Sequence, residues 1–216
     1  MLEAVPPKVL KNADIVVDIG ANQGLWSEAV TRFVRPRRLF AFEPSPEPYA
    51  HLTQRLLYAP SAKLFNVALS DYSGESRLHR FEQSEFNSLY EPATALAATY
   101  DISTIGDEMV QVTTLDDILE TEKVDGELTI VKMDVQGAEM SVLKGAQASL
   151  RRTRCLIVEL LFSPHYRGET MFAELHNYIT ASGQFRFHNF GTLARDSDGA
   201  LLWADAVYLN VANLVR

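Results

Sequence analysis

Short apolar runs alternate along the chain with stretches whose apolar residues recur at helical spacing. Such alternation is typical of an α/β fold built around a largely parallel sheet. The helical spacing predicts helices over residues 25–33, 44–57, 139–150 and 170–181. The apolar runs predict strands over residues 15–17, 38–42, 63–68, 76–81, 110–114, 128–133, 155–162, 184–190 and 206–211. We expect 76–81 to be an edge strand and the last two strands to form an antiparallel pair.

A glycine-containing loop joins the first predicted strand to the first of these helices. It carries Asp18, Gly20, Asn22 and Gly24, and glycine lets the backbone turn sharply and approach a bound molecule closely. A dinucleotide fingerprint needs a third glycine, but Leu25 and its neighbour are bulky, and Asp18 would repel a pyrophosphate. The loop therefore favours a cofactor without phosphate, such as S-adenosylmethionine. A tight turn that binds no ligand is the alternative.

Three further acidic residues follow predicted strands. Glu43 can accept hydrogen bonds from both hydroxyls of a ribose, and Asp71 can accept one from an adenine amine beside Leu69. Asp134 follows the 128–133 strand and would face the same crevice as Asp18. The alternatives are a helix-starting acid for Glu43 and ordinary turn chemistry for Asp71. We expect the cofactor to lie along this edge of the sheet.

Two residues farther along the chain are candidates for catalysis. Glu159 lies within the apolar run 155–162, where an acid needs a partner or a ligand. His165 follows that strand and is the first candidate for a general base, with Asp134 and Glu159 next. These three side chains could also hold a divalent metal, but they lack tight ligand spacing, so we favour metal-free catalysis.

Composition narrows the range of partners. The 216 residues suit one domain, and a net charge of −8 argues against a nucleic-acid or anionic-membrane partner. Cys155 is the only cysteine, and no uninterrupted apolar segment is long enough to span a membrane. We expect a soluble cytoplasmic protein, and the sequence leaves open whether it forms a homo-oligomer.

Four sequence blocks, in order, resemble the FkbM family of S-adenosylmethionine-dependent methyltransferases: VVDIGANQGLWS (16–27), FAFEP (40–44), NVALSD (66–71) and KMDVQGAE (132–139). The resemblance spans about residues 14–211. It implies a Rossmann-like class I methyltransferase fold, with a seven-stranded, mostly parallel sheet, a reversed last strand and helices on both faces. The chain would then be a single methyltransferase domain over residues 1–216.

The resemblance also implies roles for individual residues. The family's cofactor contacts fall on these positions: Asp18, Gly20, Asn22 and Gly24 for the methionine part, Glu43 for the ribose, Leu69 and Asp71 for the adenine, and Asp134 beside the amine or the methyl group. Gln136 stands where the family often has an acidic residue, which leaves no carboxylate at that position.

The implied function is O-methylation of a hydroxyl on a small molecule, either a natural product or a sugar. Two other readings stay open: a non-catalytic S-adenosylmethionine-binding module, and a nicotinamide-dependent oxidoreductase. Residues 82–109 contain no convincing long element, and a long loop in a compact domain is usually functional. We therefore interpret this segment as a lid or an acceptor-binding insertion.

Overall fold

The computed structural model describes residues 1–213, without the side chains of residues 95, 97, 98 and 213. The strands, in chain order, are β1 (Ile15–Ile19), β2 (Arg38–Phe42), β3 (Ala62–Phe65), β4 (Ala68–Leu69), β5 (Gly74–Phe81), β6 (Thr104–Thr113), β7 (Leu128–Met133), β8 (Thr153–Leu161), β9 (Phe185–Arg195) and β10 (Leu201–Asn210). The α-helices are α1 (Pro7–Lys11), α2 (Leu25–Ala29), α3 (Pro46–Arg55), α4 (Thr94–Tyr100), α5 (Leu115–Thr121), α6 (Glu139–Lys144), α7 (Gln147–Arg151) and α8 (Phe172–Thr180).

Seven strands form the main sheet in the order β3-β2-β1-β7-β8-β10-β9. β10 runs antiparallel to both of its neighbours, and the other strand pairs of this sheet are parallel. The predicted sheet, with its last strand reversed and a closing antiparallel pair, is confirmed. The pair is longer than predicted, because β9 and β10 extend to the turn around Gly199.

The apolar core lies on both faces of this sheet. Successive side chains in a strand point to opposite faces, and Val16 and Ile130 pack in one cluster while Val17 and Val131 pack in the other. Every residue of β1 and β7 is buried, as the continuous apolar runs of a covered parallel sheet require. This rigid centre fixes the positions of the loops at the strand ends.

The bounds predicted for the strand over residues 63–68 are wrong, because the end of this segment belongs to a second, three-stranded sheet. That strand ends at Phe65, and the chain leaves the main sheet before Ala68 and Leu69 pair with β6. β5 is an edge strand, as predicted, but it belongs to this second sheet, of order β4-β6-β5. β6 begins at Thr104, six positions before the predicted start, because pairing with β5 supports its polar first half.

Two predicted helices are interrupted. The helix predicted over 25–33 is α-helical only to Ala29 and continues as a π-helical turn, Val30–Val34. The helix predicted over 139–150 divides into α6 and α7 around Gly145. A Cβ at that glycine would lie 1.9 Å from the carbonyl oxygen of Ser70, so close packing against the second sheet decides the break. The pattern also missed α4 and α5, which are only seven residues long each.

Residues 82–109 lie across the carboxyl ends of the main strands. They form a 3-10 turn, Ser84–Phe86, then α4 and the start of β6. The Ser84 hydroxyl donates to Asn22 Oδ1 at 2.8 Å, and the Ser88 hydroxyl donates to the Gln136 carbonyl at 2.6 Å. No helix in the described part of the chain is both long and apolar enough to cross a membrane.

Candidate active site

A cavity of about 350 Å³ opens at the carboxyl ends of the main-sheet strands. Its wall runs from Glu43 after β2, past Gly20 after β1 and Asp134 after β7, to Glu159 near the end of β8. Three strand steps separate β2 from β8, which is roughly 14 Å at ordinary sheet spacing. The cavity is therefore elongated along the strand ends.

The glycine loop forms one wall through its backbone. Gly20 has a φ of +74°, and a Cβ there would lie 1.8 Å from the Asp134 carbonyl oxygen. This close approach lets Gly20 line the cavity while the loop packs on the end of β7. Gly24 has a different place: it does not line the cavity, and a Cβ would meet Leu52 Cδ1 of α3 at 2.6 Å. Its conformation serves helix packing.

Glu43 is buried at the end of β2 and faces the cavity. Its two carboxylate oxygens accept hydrogen bonds from the backbone N–H groups of Asn22, at 2.8 Å, and Ser45, at 2.9 Å. Burial raises the pKa of this carboxyl group to about 7, against the opposing effect of the two N–H donors. The carboxylate is thus fixed in orientation, and each oxygen keeps a second lone pair for a ligand.

Leu69 and Asp71 have different surroundings although they are two residues apart. Leu69 is buried and lines the cavity together with Val67 and Ala68. Asp71 is exposed and does not line the cavity, and its Oδ1 lies 3.3 Å from the Ser70 hydroxyl. The short pairing of β4 with β6 carries the chain into the second sheet and leaves the following turn in solvent.

Asp18 is fully buried, but its carboxylate lies behind the cavity wall. One oxygen accepts a 2.6 Å hydrogen bond from the Ser27 hydroxyl, and the other lies 3.3 Å from Lys132 Nζ. The Lys132 ammonium also lies 3.5 Å from Asp134 Oδ2, and these carboxylates raise its pKa against the lowering effect of burial. Lys132 is a site residue to which the sequence argument gave no role. The available signal was a lone cation within a strongly apolar strand.

Gln136 joins two acids, Asp134 and Glu159, which line the half of the cavity farther from β2. Its amide Nε2 donates to Asp134 Oδ1 and to Glu159 Oε2, both at 2.9 Å, while its Oε1 lies 3.0 Å from the Tyr166 hydroxyl. Burial, together with the nearby Asp134 carboxylate, raises the pKa of Glu159 well above its ordinary value. The amide therefore takes a position between two carboxyl groups that would otherwise repel each other. From the sequence, Gln136 is noticeable only as a position without the acid that the family often has.

His165 lies in the same half of the cavity. It is buried, it lines the cavity, and its Nε2 has no hydrogen-bond partner within the described residues. Burial lowers the pKa of the imidazole to about 4, so the ring is neutral near pH 7. Its ring meets Tyr100 edge-on, with centroids 5.4 Å apart. A buried ring nitrogen without a partner among the described residues, on a side chain that lines a cavity, is an acceptor that a ligand hydroxyl could satisfy.

The structure thus brings Asp134, Glu159 and His165, the three candidates for catalysis, into one half of the cavity. Gly20, Asn22, Glu43 and Leu69 line the other half or the junction between the halves. Asp18, Gly24 and Asp71 do not line the cavity, for the reasons above. Among the described residues, no group of three or more His, Cys, Asp or Glu side chains could hold a metal ion.

The order of the strands and the cavity along their ends define a class I methyltransferase fold. A methyltransferase from Methylobacillus flagellatus, described as FkbM, has a solved structure that matches 91% of this chain and 43% of its own with a TM-score of 0.58 and 18% identity. The model of the methyltransferase FkbM domain matches residues 18–187. The chain belongs to the FkbM methyltransferase family.

Two curated relatives have named activities. The 2-O-methyltransferase NoeI of Sinorhizobium fredii is 27% identical over 162 residues, which cover 72% of this chain and 66% of NoeI. The hexuronic acid methyltransferase AglP of Haloferax volcanii is 29% identical over 149 residues, or 68% of this chain and 56% of AglP. The chain thus matches less than two thirds of the length of either relative.

Proposed function

We propose that this protein transfers the methyl group of S-adenosylmethionine to a hydroxyl oxygen of a small molecule, either a sugar or a natural product. The observation that carries the proposal is one elongated cavity, which joins Glu43 and the glycine loop to the buried His165, whose Nε2 has no hydrogen-bond partner among the described residues. Family membership supports methyl transfer. The names of NoeI and AglP support an oxygen acceptor on a carbohydrate.

The half of the cavity that contains Glu43 and the glycine loop fits the cofactor. We call it the cofactor half. Glu43 would accept hydrogen bonds from the ribose hydroxyls, because its oxygens are fixed by backbone donors and keep free lone pairs. Leu69 and its apolar neighbours would cover the adenine, and Gly20 and Asn22 would hold the methionine part. When bound, S-adenosylmethionine supplies an electrophilic methyl group on a sulfonium.

The half that contains Glu159 and His165 fits the acceptor and provides a group that can take its proton. We call it the acceptor half. A neutral His165 can take the hydroxyl proton at Nε2 as the oxygen attacks, and such general base catalysis contributes roughly 10²–10⁴-fold. Glu159 is a poorer candidate because its Oε2 already accepts a hydrogen bond from the Gln136 amide. Asp134 is engaged by Lys132 and Gln136. The main effect of the cavity is to hold the two reactants together, which lowers a barrier by up to roughly 7–11 kcal/mol.

We further propose that residues 1–216 act as one methyltransferase domain and that residues 82–109 cover the acceptor. Ser84, Phe86 and Asn87 line the cavity, which supports this role for the segment. The acceptor would be a small molecule, without a nucleic acid or a membrane as partner. The single, buried Cys155 is compatible with the cytoplasm as the proposed site of action.

Two measurements test the proposal against its alternatives. Calorimetric titration with S-adenosylmethionine and, in parallel, with NAD separates a methyltransferase from an oxidoreductase, since we expect binding of the first compound alone. Transfer of a tritiated methyl group to hydroxyl compounds then separates an enzyme from a module that binds the cofactor without turnover. Binding of NAD alone would overturn the proposal.

His165→Gln is the variant that tests the base. We expect the rate of methyl transfer to fall by about 10²–10⁴-fold, with S-adenosylmethionine affinity within about twofold of the wild type, because His165 lies in the acceptor half. His51→Gln is the matched control, since His51 is exposed on α3 and outside the cavity. Equal rates for the two variants would exclude His165 as the base.

A further inference from the structure

The carboxylic acids that line the cavity have no cationic side chain beside them in the lining that the structure describes. They are Glu43, Glu85, Asp134 and Glu159, and the lining contains no Lys or Arg among the described residues. Asp134 and Glu159 belong to the acceptor half, where His165 is neutral. Positive charge in this half therefore has to come from a ligand.

Lys132 does not supply positive charge to the acceptor half. Its ammonium is buried behind the wall, 3.3 Å from Asp18 and 3.5 Å from Asp134, so two carboxylates already neutralise it. It does not itself line the cavity. A ligand carboxylate or phosphate that entered the acceptor half would lose its hydration and meet acids without a cation to pair with, which is costly.

The same half presents aromatic surface. Phe86, Tyr100 and Trp203 line it beside Glu159 and the Gln136 amide. Aromatic rings attract cations to their faces and pack against the apolar faces of small ligands, and the nearby carboxyl and amide groups can hydrogen-bond to hydroxyls. This combination suits a ligand with hydroxyl groups and either no charge or a positive one.

We infer that the acceptor is an uncharged or amine-bearing sugar-type compound, and that a carboxylate or phosphate on the acceptor ring is selected against. The inference rests on the proposed function and narrows its substrate class. The acids of the acceptor half repel an anion, while the aromatic rings and the same acids favour an ammonium group.

Three matched probes test the charge preference. They are methyl β-D-glucopyranoside, the corresponding 2-amino-2-deoxy glycoside and the corresponding glucuronide. Calorimetry measures their binding to the full chain loaded with S-adenosylhomocysteine. We expect the glucuronide to bind at least tenfold more weakly than the neutral glycoside, and the amino glycoside to bind at least as tightly as the neutral one. Glucuronide binding equal to or tighter than that of the neutral glycoside would overturn the inference.

A charge reversal on an exposed wall residue gives a second readout. Glu85→Lys should reduce the preference for the neutral glycoside over the glucuronide severalfold, because it places a cation on the wall of the cavity. Glu82→Lys is the matched control, since Glu82 is exposed three residues earlier and does not line the cavity. An equal change in both variants would show a general charge effect and overturn the inference.

The test separates this inference from the proposed function. If none of the three probes binds, the sugar-type acceptor is overturned. Intact S-adenosylmethionine binding with methyl transfer to another hydroxyl compound would still support the proposed function. Loss of S-adenosylmethionine binding as well would overturn both.

Discussion

The two halves of the cavity are held together in different ways. In the cofactor half, the Glu43 carboxylate is fixed by backbone N–H groups, and one of these belongs to Asn22, 21 positions away along the chain. In the acceptor half, side chains bond to side chains or to distant carbonyls, as Gln136 does with Glu159 and Tyr166 with Phe86, 80 positions away.

This difference separates the half of the cavity whose shape can vary with single substitutions from the half whose shape cannot. Backbone donors keep their positions when side chains change, so a site built from them suits a cofactor that stays the same. A side-chain network changes its shape and charge with single substitutions, which suits a surface that selects the acceptor. Four variants, from the largest expected effect to the smallest, test whether the halves differ in this way.

Gly20→Ala should have the largest effect. The new Cβ would lie 1.8 Å from the Asp134 carbonyl at a φ of +74°, so the loop must move away from β7. We expect loss of S-adenosylmethionine binding by calorimetry and a fall of about 4 kcal/mol or more in the free energy of unfolding measured with urea.

Gly199→Ala is the control for backbone strain alone. Gly199 also has a positive φ, +88°, but its Cβ position is open. This variant should lose only about 1 kcal/mol, since a left-handed conformation is the sole penalty. Similar losses in the two variants would show that the close approach of the loop to β7 does not matter.

Lys132→Met should be nearly as damaging, because it leaves the buried Asp18 carboxylate and the partly buried Asp134 without their cation. We expect the free energy of unfolding to fall by about 3–5 kcal/mol. Lys63→Met is the control: it removes a half-exposed lysine paired with Glu122, and surface pairs contribute at most about 1 kcal/mol. A loss below 1 kcal/mol in Lys132→Met would contradict the role of this lysine as the counter-ion of Asp18 and Asp134.

Glu139→Gln should alter how stability depends on pH. Burial raises the pKa of Glu139 to about 7 from an ordinary value of 4.5, so the folded protein holds a proton that the unfolded chain releases first. The contribution of Glu139 to the free energy of unfolding is therefore most favourable below pH 4.5 and declines as the pH rises to about 7. At pH 8 the ionised group costs up to about 3 kcal/mol, and the glutamine should remove that penalty.

Urea unfolding of both proteins at pH 4.5 and pH 8 measures the change. The difference in unfolding free energy between variant and wild type should become more favourable to the variant as the pH rises. The comparison cancels the parallel contribution of Glu43, whose pKa is also raised to about 7, and the opposite one of His165, whose pKa is lowered to about 4. A pH-independent difference would mean that Glu139 titrates normally.

Ser84→Ala should have the smallest effect and addresses the contact between the halves. It removes the 2.8 Å hydrogen bond from residues 82–109 to Asn22, which is worth about 1 kcal/mol. We expect S-adenosylmethionine affinity to fall by a few-fold in calorimetry. Ser73→Ala removes a hydroxyl that bonds to Asp117 outside the cavity, so it should leave the affinity unchanged. Unchanged affinity in both would mean that this segment acts independently of the cofactor loop.

The sequence by itself determined the framework of the main sheet and one wall of the cavity. Buried parallel strands are continuous apolar runs, and a glycine loop followed by a helix is a local pattern, so β1, β7, Gly20 and Glu43 could be predicted from neighbouring residues alone. The positions of Asp134, Glu159 and His165 near or after strand ends also made them candidates for catalysis from the sequence, and all three line the cavity.

The tertiary structure alone decided what depends on contacts between distant segments. The pairing of β4 and β5 with β6 places Leu69 at the cavity and Asp71 in solvent, and the packing of Gly145 on Ser70 breaks a continuous helical pattern. The position of Lys132 between Asp18 and Asp134, and of the Gln136 amide between Asp134 and Glu159, depends on strand register across the sheet. Local periodicity carries no information on such partners, because their energy comes from groups that meet only after the sheet has formed.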